Sequence, residues 1–399
     1  MKMNSKGKTA RFYKSRLTAA AIIAAAACFL RFAARNRQDF SDAWLLYVNP
    51  IWVNTLGRIA GLFPFSLVEF LIYAIIVGIL FFIGRTICLA AWGKRRQSRT
   101  DPFSASTAAA GVPDSAAATG GHPLWTGFFK RGVTRILLLA AIIFFLYEGG
   151  EDVYFFCTPF STTYGYGNGS YSSEQLTEVC RFLVDMCNTY TDKVDRDEDN
   201  RMSLFPYAKW RARQAMENLG DEYPILDGWY PKAKGVCISR LMSKTNMAGI
   251  YSAYTSEANY NTEMPAYNKP FTMCHELSHL KGVLPENEAN FAAYLACVRS
   301  DQPDLIYSGC LTGWVYCGNE LYKRDREAWR EIAVTLSAGA NADLEYNTAF
   351  WKQFRGKAAD AAEKFNDSYL KQAGQSAGTE SYNQVVDLIV SYETGKSGH

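Results

Sequence analysis

The stretch Cys274-His-Glu-Leu-Ser-His-Leu-Lys-Gly-Val-Leu-Pro-Glu-Asn-Glu-Ala-Asn290 decides how this chain is read. It holds His275-Glu276-x-x-His279, followed within a few residues by two glutamates. Residues four apart on a helix share a face and lie about 6 Å apart along the axis. Two imidazoles so spaced can converge on one Zn2+ ion, and a glutamate next to the first can serve as general base. The chain has four histidines; His122 lies in a linker-like stretch and His399 is the last residue. The motif therefore holds every histidine expected inside the folded C-terminal part.

A catalytic zinc site usually takes three protein ligands and keeps one position open. With no third histidine, the remaining ligand should be a carboxylate. Gly282 suits a helix C-cap, and Gly282 with Pro285 turns the chain back within a few residues. The helix that follows begins with Glu286 and Glu288. Glu286 and Asn290 fall on one face, which favours Glu286 as third ligand and Asn290 as support for a histidine or the carboxylate. Glu288, roughly opposite, is the alternative. Zinc lowers the pKa of a coordinated water towards neutrality. Glu276 would take a proton from that water and hand it to the leaving amine. Tyr307 and Tyr316 are candidates for stabilising an oxyanion. Two histidines packed in a helix without metal, or a zinc site without catalysis, are the plain alternatives.

The 399 residues exceed one ordinary core. Residues 1–150 carry 18 Lys/Arg against 6 Asp/Glu, whereas 151–399 carry 24 against 33. The basic half also holds three apolar segments, Leu17–Leu30, Leu67–Gly84 and Val133–Tyr147. Its charge thus reads as membrane orientation; no basic patch with interleaved aromatics points to nucleic acid as a partner. A span needs roughly 20 residues, about 17 at the lower end. The second segment meets that; the first also fits a cleaved signal peptide, and the third a buried helix. Lys and Arg concentrate in the N-terminal tail 1–16 and in the 92–132 loop, and are sparser between the first two segments (Arg35, Arg37 and Arg58 among them). By the positive-inside rule, tail and loop are cytoplasmic and residues 151–399 extracytoplasmic. The expectation is a multi-pass cell-membrane protein, with the lipid bilayer as one partner and a peptide or protein substrate near the outer face as another.

The Ala/Ser/Thr/Gly/Pro-rich stretch 98–123 reads as a flexible linker, and 151–172 as an extended juxtamembrane segment. Helical periodicity covers Ser173–Val194, with Leu176, Val179, Cys180, Leu183 and Cys187 on one face, and then Leu204–Leu219. Asp195–Arg201 reads as a charged turn. Short strands are expected at Val236–Leu241, Ala248–Tyr254 and Ala258–Glu263. The last of these is either an exposed sheet edge able to take a peptide as an added strand or an ordinary core strand. Helices are expected at about Phe271–Lys281, from Pro285 to Val298, and over 304–337, 343–372 and 380–394. The expected fold class is α+β, mainly helical with a small sheet, preceded by transmembrane helices. An oxidising compartment would permit disulfides among the eight cysteines after residue 150. Cys180 and Cys187, like Cys310 and Cys317, are too far apart on a helix to pair with each other, and buried free thiols are the favoured reading.

The stretch Gly249–Tyr316 resembles a family of bacterial membrane proteins known as a domain of unknown function. The matching pieces are Gly249–Ser252, Glu257–Asn261, Pro270–Thr272, His275–His279, Glu288–Phe291 and Tyr307–Gly309. The site is also similar to that of gluzincin metallopeptidases, in which a glutamate on a second helix completes the zinc shell. Glu286-Asn-Glu-Ala-Asn290 resembles the Glu-x-x-Ala-Asp ligand motif of HtpX-type membrane peptidases, with Asn in place of Asp. It also resembles the Glu-x-x-Ala-Asn of ImmA/IrrE-type proteases, which is followed by Phe-Ala as in Phe291-Ala292. These resemblances imply a zincin-like domain, Glu286 as ligand and a membrane-anchored zinc metallopeptidase. A zinc-binding sensor or scaffold, or a zinc amidase acting on cell-wall peptides, are the alternative functions.

Overall fold

The computed structural model describes residues 5–107, 124–167, 171–373, 375 and 384–396. In chain order the helices are α1 (Ser5–Asn36), α2 (Gln38–Tyr47), α3 (Asn49–Trp52), α4 (Arg58–Gly61), α5 (Leu67–Thr107), α6 (Leu124–Gly150), α7 (Phe160–Thr163), α8 (Ser173–Thr191) and α9 (Ala208–Leu219). Strand β1 (Lys234–Gly235), α10 (Ser239–Lys244), β2 (Gly249–Ser252) and β3 (Glu257–Tyr260) follow. The rest is helical: α11 (Asn268–His279), α12 (Glu286–Val298), α13 (Pro303–Arg324), α14 (Arg326–Ala333), α15 (Ala338–Lys352), α16 (Lys357–Gln372) and α17 (Val385–Lys396). The described residues are thus mostly helical with one small sheet.

Three helices are long and apolar enough to cross a membrane, with candidate spans at Lys14–Asn36, Leu67–Leu89 and Arg131–Phe156. Each is longer than its apolar core in the sequence: the first and third are extended at both ends, the second only past Gly84. The helix α5 also runs on through the first part of the expected linker, to Thr107. Residues 108–123 of that linker, with His122, lie outside the described residues, as do residues 380–383 of the last expected helix and His399.

The chain divides into two compact units, Met1–Phe29 with Glu69–Leu146, and Leu30–Val68 with Tyr147–His399. Among the described residues the first holds most of α1, α5 and α6. The second carries the motif. Its core is made where α8 packs on α13, and where α11, α12, α13 and α9 meet one another. The apolar stripe of α8 accounts for this: Leu176, Val179, Cys180, Leu183 and Cys187 are all buried. Ser172 starts that helix with a capping box, its hydroxyl accepting from Gln175 N while the Gln175 side chain accepts from Ser172 N.

Several expectations fail here. The stretch expected to be extended instead forms a 3-10 turn at Asp152–Phe156 and α7, which bury Val153, Tyr154 and Phe160 in the cores; residues 168–170 lie outside the described residues. Val236–Leu241 is not a strand. Val236–Ile238 form the turn into α10, which takes up Ser239–Leu241, and the strand lies just before, at Lys234–Gly235. The stretch 304–337 is broken at Asp325, whose side chain accepts from Glu327 N and Ala328 N and so caps α14. The stretch 343–372 is likewise broken, at Gly356. The favoured reading of the cysteines, by contrast, holds: none of the ten is bonded to another, and seven of the eight after residue 150 are buried.

The sheet order is β1-β3-β2, with β1 parallel and β2 antiparallel to β3. The Ala258–Glu263 strand is therefore central, and the exposed-edge reading of it is wrong. Glu257 and Asn261, at its two ends, satisfy their polar groups internally. Glu257 is buried in an ion pair with Lys234 (2.5 Å) and accepts from Leu67 N and Val68 N (2.9 Å each) and from the Thr255 hydroxyl (2.7 Å). A carboxylate at the free amides of a helix N-terminus meets both unsatisfied donors and the positive end of the helix dipole. The Asn261 amide donates to Ser243 Oγ and Met247 O.

The packing of α8 on α13 yields a direct check. Leu183 is fully buried and lies beside Gly313 of α13. Leu183→Ala is expected to destabilise the domain by about 2–5 kcal/mol. Val334→Ala, at a position 76% exposed, should leave the thermal unfolding midpoint in detergent unchanged.

Candidate metal centre

The motif helix α11 opens with Pro270 in its first turn, where a missing N–H removes nothing. Phe271 N donates to Ser308 Oγ. The helix closes at Gly282, which takes φ = +77°. A Cβ there would also meet Leu45 Cδ1 at 2.4 Å, so both backbone and space require glycine. The turn is held by Gly282 N to His279 O and Val283 N to Ser278 O. After Pro285, α12 starts at Glu286 and runs back past α11.

This reversal brings three donor atoms together. His279 Nε2 lies 3.1 Å from His275 Nε2, and His275 Nε2 lies 3.1 Å from Glu286 Oε2. Ligand atoms of His275, His279 and Glu286 all stand within 4.8 Å of one another. Nitrogen and oxygen ligands of a tetrahedral zinc ion stand roughly 3.3 Å apart, given bonds of about 2.0–2.2 Å. His279 Nδ1 is 2.8 Å from Val283 O. A carbonyl can only accept, so Nδ1 carries the proton and Nε2 presents a lone pair, as a ligand must.

The surroundings are unfavourable for bare charge. Burial pushes the Glu276 carboxyl up to about 8, with His275 opposing and Glu286 adding. Burial also holds His279 down to about 4, with His275 in the same direction. Burial would lower His275 as well, but the hydrogen bond and charge of Glu286 outweigh it, and the Asn290 side chain adds to the rise. Glu276 Oε2 is buried without a hydrogen-bond partner. An orphaned carboxylate oxygen, two imidazoles and a second carboxylate make a donor set that fits a divalent cation.

Each expected residue can now be placed. His275, His279, Glu286 and Glu276 are gathered in one place, with Asn290 beside His275. Glu288 points elsewhere: its Oε2 accepts from Ser161 N (2.7 Å) and its Oε1 from Ser161 Oγ (2.8 Å). It pins α7 to α12, so it is not available as the third ligand. Tyr307 is also elsewhere, donating to Asp343 Oδ2 (2.6 Å). Tyr316 remains a candidate, since its phenol feels the charge of Glu286 and burial raises it.

Two residues went unnoticed in the sequence. Val283 contributes only a carbonyl, which no side-chain pattern reveals. Gly249, at the start of β2, lies against the general-base candidate: a Cβ there would stand 2.3 Å from Glu276 Oε1. Its signal was the Gly-Ile-Tyr-Ser run.

Residues 122–390 match the family model described as "Protein of unknown function (DUF3810)", and the chain belongs to that family. No curated protein and no solved structure matches it.

Wild-type protein is expected to purify with near one zinc per chain, and His279→Ala and Glu286→Ala each with well below that, read by plasma mass spectrometry. Glu288→Ala should keep the metal and lose about 1–3 kcal/mol of stability, because it leaves the buried Ser161 donors unpaired.

Proposed function

We propose that this family member is a membrane-anchored zinc metallopeptidase with a zincin-like, gluzincin-type domain. The observation that carries the reading is the convergence of His275 Nε2, His279 Nε2 and Glu286 Oε2, with Glu276 alongside. His275, His279 and Glu286 would hold the zinc ion. When bound, zinc supplies Lewis acidity that brings the pKa of water towards neutrality.

The chain's own residues supply the rest. Glu276 accepts a proton at its unpartnered Oε2 and delivers it to the leaving amine nitrogen. Val283 O keeps the His279 ring oriented, and Asn290 lies beside His275. The phenol of Tyr316 is the candidate donor to an oxyanion. An extended peptide would pair along β2, the outer strand whose first residue touches Glu276. This replaces the central β3 as the substrate-facing strand.

The Lys/Arg-rich tail and the 92–132 loop favour a cytoplasmic placement for both, and with three spans an extracytoplasmic one for residues 151–399. Such a topology directs the enzyme at peptides or proteins near the outer membrane face.

The test is Glu276→Gln compared with wild type, both purified and assayed for metal and for cleavage of a broad peptide library. The variant should retain zinc and lose about 10²–10⁴-fold in turnover. A wild-type protein that holds zinc and cleaves nothing would overturn the reading in favour of a sensor. Gly249→Ala should also retain zinc while turnover drops by about 10²-fold, because Glu276 must shift.

A further inference from the structure

We propose that residues 38–63, which link the first two candidate spans, lie in the plane of the membrane surface with their outer face inserted among lipid headgroups and upper acyl chains. The inference goes beyond the peptidase reading and does not need it; it requires only that the two flanking helices cross the bilayer.

The segment is helical almost throughout, as α2, α3, a π-helical turn at Val53–Gly57, and α4. Its buried positions are Ser41, Leu45, Asn49, Val53, Gly57 and Ala60, spaced three or four apart, so one side of the helix faces inward. That side is bound to the metal-carrying part of the domain. The Asn49 amide donates to Leu280 O (3.0 Å), directly after the motif helix, and Asn49 Oδ1 accepts from Tyr154 OH. The Trp52 indole donates to Ala253 O (3.2 Å), just past β2.

The opposite side should be polar if it faced water. Instead Leu46, Tyr47, Ile51, Ile59 and Leu62 are between 56% and 80% exposed. Arg58 is the only charged residue from Ala43 to Phe63. It is engaged, donating to Asn54 Oδ1 (3.1 Å) and stacking over the Trp229 ring. A largely apolar outer face of this length, with Arg58 as its one charge, marks a partner or a membrane.

Chain continuity identifies lipid as the occupant. One candidate span ends at Asn36 and the next begins at Leu67. Two consecutive spans return both ends of the intervening segment to the same membrane surface. Both ends of the exposed face are therefore tethered at the bilayer boundary. In-plane helices elsewhere place a polar face in water and an apolar face in the headgroup–acyl boundary. Here the folded domain takes the place of water.

The test uses the full chain in vesicles of phosphatidylcholine with a minor share of phosphatidylglycerol. Exposed Cys28, Cys88 and Cys237 are changed to Ser, and an environment-sensitive fluorophore is placed through Ile51→Cys or Leu62→Cys. Val77→Cys, within a span, and Val334→Cys, on the domain, serve as references. Lipid-borne doxyl groups should quench the labels at 51 and 62 nearly as strongly as that at 77, and several-fold more than that at 334. Quenching at 51 and 62 equal to that at 334 overturns the proposal. So does a label shielded from iodide yet untouched by doxyl lipid, since a protein would then cover the face. A second measurement needs no substitution: photoreactive phospholipid should leave adducts on peptides covering residues 46–63 of the wild-type chain. Their absence, with adducts present on the spans, overturns it equally.

Discussion

The hydrogen bond between His279 Nδ1 and Val283 O underlies the candidate centre, because one contact settles two things. It closes the reversal after α11, and it decides which nitrogen of His279 is bare. The reversal itself depends on Gly282 in the left-handed region. A residue with a Cβ would meet both the strained backbone and Leu45. With the turn in place, α12 must begin beside the two imidazoles, and Glu286, its first residue, comes within 3.1 Å of His275. Three ligand atoms from two helices are thus gathered by a loop of six residues.

Buried carboxylates in this domain divide by how their oxygens are satisfied. Glu257 has a lysine, a hydroxyl and two helix amides. Glu288 has the amide and hydroxyl of Ser161. Desolvated charge is tolerated when hydrogen-bonded and costly when it is not. By that measure these two hold the fold together. Glu276 differs, with one oxygen buried and unpartnered while the other lies against Gly249. That state suits the role proposed for Glu276 better than it suits a scaffold.

The same physics extends to the membrane side. Glu257 caps the start of α5, and Asn49 supports the carbonyl that follows the motif helix. The strand next to β2 and the turn behind the histidines are therefore each bound to chain that adjoins a candidate span. The centre is connected to these segments by direct hydrogen bonds to backbone atoms, which leave less slack than side-chain packing alone.

Much of this was legible in the residues. The pairing of His275 with His279 followed from spacing, since 3.6 residues per turn puts i and i+4 on one face whatever surrounds them. The stripe of α8 and the three apolar helices followed from periodicity and length for the same reason, because both depend on local geometry. What local pattern could not supply was choice among chemically equal residues. Glu286 and Glu288 look alike in sequence, and only the position of Ser161, 127 residues earlier, takes one of them out of contention. Tyr307 and Tyr316 likewise separate only because Asp343 stands beside the first. Strand order was hidden too, since β3 became central through pairing with both β1 and β2. Helical spacing is set by the backbone a residue belongs to; partners and edges are set by chain segments that meet only when the whole domain is folded.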